Sequence, residues 1–325
     1  MIKEKQPIDK RLRLNIKKLD HKKVIAKIQE TVNNALIYDL ENDVDGKWIK
    51  SWIPNHPPMS LSGHALSGFN WFWTTYSARQ LKYDSLIFGT FNQWKEEGLR
   101  LKAGSKCLKL LRPILLDKKD TDGNIETDIN GNQKKFIYFV TYPVFNIAQI
   151  DDSIEGASKI LKELEKKFQK TLNDGASTIK EIEQFVKNTK AVIEHNGSPC
   201  FIPSQDKILM PPIEQFETEV CYYSTLCHEL THWTGAEKRL NRTQKWNTND
   251  YAFEELIAEL SSAYLSSYLG IEAQPRKDHA RYIKSWIKGL KDDTGALLKA
   301  SSMSGKAVNY LIDLQPKKEE LKKVA

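Results

Sequence analysis

His228-Glu229-Leu230-Thr231-His232 is the stretch that most narrows what this 325-residue chain can fold into. Two histidines four positions apart share one face of a helix, a turn from each other. From there both imidazoles can reach a single Zn²⁺ ion. The acid beside the first histidine is placed to take a proton from an attacking water and return it later to a leaving amine. The surrounding sequence supplies the helix: Phe216–Thr234 has no breaker, and Gly235 follows it, where a left-handed C-cap favours glycine. His228 and His232 are the expected ligands of one ion per chain, with Glu229 as catalytic base.

A zinc site of this kind needs a third ligand, and the next predicted helix, Tyr251–Leu269, carries Glu254, Glu255 and Glu259 before its own stop at Gly270. A two-histidine helix followed by a Glu-bearing helix resembles the His₂Glu arrangement of zincins. In those proteins a second carboxylate follows the ligand by four residues and accepts the far N–H of a ligand histidine. Glu255 and Glu259 stand in that relation, which makes Glu255 the expected ligand and Glu259 its supporting carboxylate. Glu254 lies about 100° round the helix and is the less favoured choice. Ala258, Ser261 and Ser262 are small enough for close helix packing. In zincins an edge strand over the metal helix pairs with an extended peptide, and Lys207–Met210 is the strand considered for that role.

Charge separates the two halves of the chain. Residues 1–150 hold 24 lysines and arginines against 16 acids, and residues 151–325 hold 25 against 26, so the whole positive excess lies in the first half. Five of eight tryptophans, Trp48, Trp52, Trp71, Trp73 and Trp94, fall in the same half. Cations that follow phosphates and rings that stack on unpaired bases are what a single-strand binder uses. A basic domain with a Trp-rich core has the same composition, so composition leaves both readings open.

The order of elements predicts an α+β chain of two domains, 1–150 and 151–325. Residues 1–14 read as a loose basic arm. Ile16–Tyr38 has helical apolar spacing, and Thr90–Glu97 is a short helix capped by Thr90 and stopped by Gly98. Arg100–Leu116 and Phe136–Phe145 read as strands around a polar hairpin tip at 117–132. Asp151–Leu172 and Thr178–Ile193 read as helices, and Cys200–Pro203 and Lys207–Met210 as short strands. No apolar run approaches the ~18–20 residues of a membrane-spanning helix. The charged N-terminus is not that of a secretory leader. Cys107, Cys200, Cys221 and Cys227 have no metal-ligand spacing, so a reduced, cytoplasmic protein without a membrane partner is expected.

Several segments resemble the ArdC family of plasmid antirestriction proteins: Phe201-Ile202-Pro203, Asp206–Pro211, Tyr222–Gly235, Arg239-Leu240-Asn241-Arg242, Tyr251–Leu260 and His279–Trp286. In the first half the resemblance continues through Gly63 and Gly68-Phe69-Asn70, Thr90–Trp94, Leu101–Lys106 and Val144–Gln149. It implies a mixed α/β single-stranded-DNA-binding domain joined to a mostly helical, zincin-like metallopeptidase domain. It also implies protection of incoming plasmid or phage DNA from host restriction. The DNA contacts then expected are the five tryptophans as stacking rings, with Lys95, Arg100, Lys102, Lys106, Lys109 and Arg112 on phosphates, the basic residues sharing a strand face. His279 and Tyr282, on a helix bordering the cleft, are expected oxyanion donors. The partner of the peptidase site is an unidentified protein, a host defence protein among the candidates. The alternative function is a non-enzymatic protein that coats DNA, with zinc serving only the fold.

Overall fold

The computed structural model describes residues 20–42, 54, 56–173, 178–242, 248–271 and 280–316. The expected arm at 1–14, Trp48, Trp52 and His279 lie outside them, as does the side chain of Tyr282. Helix α1 (His21–Glu41) begins at Asp20, whose carboxylate accepts the Lys23 N–H, and buries Ile25, Ile28, Val32 and Leu36 along one stripe. After β1 (Met59–Ser60), the aromatic run folds as α2 (Gly68–Leu81). Strand β2 (Ile87–Gly89) leads to the short α3 (Phe91–Glu96), where Thr90 and Gln93 form the reciprocal capping box.

Strands β3 (Leu108–Asp117) and β4 (Lys135–Asn146) form a ten-pair antiparallel ribbon, from Leu108↔Val144 to Asp117↔Lys135. The strand expected from Arg100 starts only at Leu108, because the preceding segment turns at Gly104, with φ +78°. The tip of the ribbon holds two successive turns of the same design. Asp120 accepts the N–H groups of Asp122 and Asn124, and Asp128 accepts those of Asn130 and Asn132. The first sheet runs β1-β2-β4-β3, and the Asn70 side chain closes its outer edge by pairing with both the N–H and the C=O of Leu111 at 2.8 Å.

Helices α4 (Ala157–Asn173) and α5 (Ile179–Thr189) follow. A second sheet of order β5-β7-β6 comprises β5 (Val192–Glu194), β6 (Cys200–Ile202) and β7 (Lys207–Leu209). Residues 192 and 193, expected at a helix end, lie instead in β5, and α5 stops at Lys190 in the left-handed region. Among the described residues four helices follow, α6 (Glu219–Thr234), α7 (Thr248–Leu269), α8 (Ala280–Asp292) and α9 (Ala296–Asp313). Among the described residues, no helix is long and apolar enough to cross a membrane.

The architecture is α+β, with the first sheet in the N-terminal half and a mostly helical C-terminal half. The largest core joins α1 and α2 to α6–α9, through residues such as Val32, Leu36, Trp71, Leu230, Leu260 and Val308. Trp71 on α2 lies 5.7 Å from the Tyr264 ring on α7. A second core under the first sheet packs Met59, Ile87 and Trp94 against Leu164 and Phe168 of α4. Packing therefore runs across residue 150 in both directions. One close crossing is between Gly68, at φ +56° at the start of α2, and Gly305 of α9.

Candidate metal centre

Helix α6 starts at Thr218, whose hydroxyl accepts the Cys221 N–H, and all five residues of the histidine motif are buried in it. It packs on α7 through small side chains, with the Ser262 hydroxyl donating to Ser224 O. This contact brings Glu255 over the two histidines. The Nε2 atoms of His228 and His232 lie 3.0 Å apart, and each is 3.4 Å from one oxygen of Glu255. The three ligand atoms all lie within 4.8 Å of one another. Behind them, Glu259 Oε1 is 3.0 Å from His228 Nδ1, and Glu254 Oε1 is 3.3 Å from His232 Nδ1. Each imidazole thus turns Nδ1 towards a carboxylate and Nε2 inward, the orientation a metal ligand needs.

The charge balance suits a cation. Glu229, Glu254, Glu255 and Glu259 are all buried, and burying carboxylates costs several kcal/mol each unless positive charge compensates. Burial lowers the pKa of His232, but Glu254, Glu255 and Glu229 outweigh burial and raise it to about 10. Burial raises the pKa of Glu255, and the two histidines reverse this and hold it well below the usual carboxylate range. Two imidazole nitrogens and a carboxylate oxygen are a donor set for a borderline divalent ion, and these residues fit one. The Glu229 charge acts on His232 and also raises the pKa of Cys200 on β6, after burial, which is the larger cause.

Glu254, disfavoured as a ligand, is outside the group of His228, His232 and Glu255 and lies against Nδ1 of the second histidine. Two expectations change here. Gly235 is not left-handed, at φ −75°. A Cβ there would meet Arg242 Nη2 at 2.9 Å and His232 O at 3.0 Å, so the position needs glycine for space. Strand β7 is central rather than an edge, since β5 and β6 use both its sides. The edge beside α6 and Glu229 belongs to β6.

The residues expected on DNA are dispersed. Trp71 and Trp94 have 0% of their surface exposed, which makes them core anchors and not stacking rings. Trp94 Nε1 donates to Phe145 O at 3.1 Å. Trp73 is half-buried, stacks on Tyr76 and donates to Lys109 O at 3.0 Å. Lys95 is exposed on α3, and Arg100, Lys102 and Lys106 are exposed in the loop before β3. Half-buried Lys109 and exposed Arg112 are three positions apart on one strand and so point to opposite faces, which rules out a single basic strand face. Tyr282 lies in α8.

The composition of the site gives no hint of Arg242, which grips Glu254 through Nε and Nη2 at 3.1 and 2.8 Å. The nearby Arg239 lies over the Trp233 ring at 3.9 Å, donates to Trp233 O and pairs with Asp206. The one sequence signal for both was their place in the Arg239–Arg242 segment.

Residues 26–145 match the N-terminal domain of anti-restriction factor ArdC, and residues 180–303 match a zincin-like metallopeptidase. The chain is similar to crystal structures of antirestriction protein ArdC from plasmid R388. The metal-free form is 29% identical with a TM-score of 0.67, and the Mn(II)-bound form is 30% identical with a TM-score of 0.64. Each likeness covers 88% of this chain and 97% of the other. An uncharacterized protein of Sinorhizobium fredii is 28% identical over 87% of this chain and 91% of its own. A DNA primase TraC of Escherichia coli is 34% identical over 89% of this chain, which spans only 27% of the primase.

Proposed function

The chain belongs to the ArdC family of antirestriction proteins, and from that premise we propose that it binds single-stranded DNA with residues 1–150 and hydrolyses a protein with residues 151–325, protecting incoming plasmid or phage DNA from host restriction. The observation that carries the peptidase part is the convergence of His228 and His232 of α6 with Glu255 of α7 within 4.8 Å, beside buried Glu229 of α6. His228, His232 and Glu255 would hold Zn²⁺, which when bound polarises a carbonyl as a Lewis acid. Glu259 and Glu254 keep Nδ1 of each histidine protonated and Nε2 free. Glu229 takes the proton of the attacking water and delivers it to the leaving amine. An extended peptide lies along the edge of β6, held by main-chain hydrogen bonds that need little sequence specificity. His279 and Tyr282 donate to the developing oxyanion.

Exposed Lys95, Arg100, Lys102, Lys106 and Arg112 supply sequence-tolerant attraction for the DNA backbone. DNA binding concentrates the peptidase on proteins near the strand, in the cytoplasm. The test is protection of a transferred plasmid against a restriction system by wild type and Glu229→Gln, with metal content measured on both. We expect the variant to keep one zinc per chain and lose protection. A variant that keeps zinc and full protection would transfer the phenotype to DNA coating and sink the hydrolytic account.

A further inference from the structure

The segment Arg239–Arg242 has no part in the chemistry above, yet its last side chain reaches the back of the metal cluster. We propose that Arg242 is a positioning residue of the metal site, acting through Glu254 to hold His232 in its ligating orientation. The proposal rests on the metal-site reading. Arg242 meets Glu254 with two parallel hydrogen bonds, 3.1 Å from Nε to Oε2 and 2.8 Å from Nη2 to Oε1. Such a fork fixes the plane of a carboxylate as well as its place. The oxygen it holds, Oε1, is the one 3.3 Å from His232 Nδ1. The rest of the guanidinium is tied to α6, with Nη1 on Thr234 Oγ1 at 2.9 Å and Nη2 on Thr231 O at 2.6 Å.

One buried cation therefore locks the carboxylate on α7 to the last turn of α6, the turn that carries His232. A positive group there also complements the negative end of the helix dipole. Gly235 leaves room for the contact, since a Cβ would stand 2.9 Å from Nη2. Glu254 lies within the first two turns of α7, close to the helix start at Thr248.

Position and charge predict opposite results. By charge alone, removing a cation from beside the site would tighten binding of a divalent ion. By position, it loosens the site, because partners behind a ligand histidine are worth about 10–100-fold in metal affinity. The experiment measures the zinc dissociation constant by chelator competition for the full chain and for Arg242→Ala, Arg242→Lys, Glu254→Gln and Arg242→Ala/Glu254→Gln, alongside the visible spectrum of each loaded with Co²⁺. We expect about 10–100-fold weaker zinc for Arg242→Ala and Glu254→Gln, and a double variant no weaker than the worse single. Arg242→Lys should recover part of the loss, since it keeps the charge without the fork. At saturating Co²⁺ the bands should shift in each variant. Affinities within threefold of wild type, tighter binding, or fully additive losses would overturn the proposal. If Arg242→Ala does not fold, Arg242→Lys and Glu254→Gln decide it by the same criteria. A wild-type chain that binds no zinc would overturn the metal-site reading itself.

Discussion

Gly305→Ala should destabilise the protein, although alanine is the better helix former. Gly305 lies within α9, and a Cβ there would stand 3.0 Å from both Cα and N of Gly68. That is tighter than ordinary van der Waals contact, so α9 and the start of α2 must separate by a few tenths of an ångström. Neither side can yield by turning a side chain, because both contact atoms on Gly68 are backbone. Gly68 is itself fixed in the left-handed region at φ +56°. Overpacking of this kind costs about 1–3 kcal/mol. At roughly 2–4 °C per kcal/mol, the melting temperature should fall by several degrees. Gly289 in α8 provides the control: its φ is not positive and a Cβ would meet nothing within 4 Å. Gly289→Ala should therefore gain about 0.5–1 kcal/mol from helix propensity. Thermal melts followed by circular dichroism compare the two variants with wild type. Equal signs for the pair, or an unchanged Gly305→Ala, would refute the close α2–α9 crossing and with it the core shared by the two halves.

Trp94 has no exposed surface and fills the space above Gly89, so Trp94→Ala should cost about 3–5 kcal/mol in urea unfolding. Trp94→Phe, which folds more readily, should bind a labelled single-stranded oligonucleotide like wild type, and a large loss of affinity would restore the ring to the DNA surface. His21 is buried, with Nδ1 accepting the Thr141 N–H at 3.0 Å, and burial, then Lys109, lower its pKa below 6.5. Below pH 6.5 the unfolded chain therefore takes up more protons at this residue than the folded one. Its contribution is complete above that pH and lost as pH falls through the folded value. His21→Gln should flatten the decline in stability between pH 7 and 5, and an unaltered slope would remove His21 as its source.

The metal motif was legible because its information is local. Residues four apart share a helix face whatever surrounds them, so His228 and His232 could be paired on spacing, and Glu255 and Glu259 on the same spacing taken with their resemblance to the zincin pattern. Caps are equally local: Thr90, Thr178 and Thr218 each accept the N–H three residues on. Patterning could not tell which large rings would be buried. Trp71 and Trp94 entered the core because α2 meets α7 and α3 folds against β4, and the same rings on an open sheet would have been binding surface.

The one-dimensional pattern also left strand order undecided. Only two short strands were expected here, Cys200–Pro203 and Lys207–Met210, which left the second a free side; β5 runs parallel to β7 and β6 antiparallel, which places β7 between them. Local spacing was enough to name the chemistry available to the chain: two imidazoles, a base beside the first, and a carboxylate on the next helix. How those groups are held was settled by the packing of α7 on α6. The angle at which α7 crosses α6 lets Glu254 and Glu255 both face the histidines, and the turn back from Gly235 delivers Arg242 to Glu254. Helical periodicity constrains a side chain's direction about its own axis, whereas the contact between two helices depends on packing contributed by the whole core.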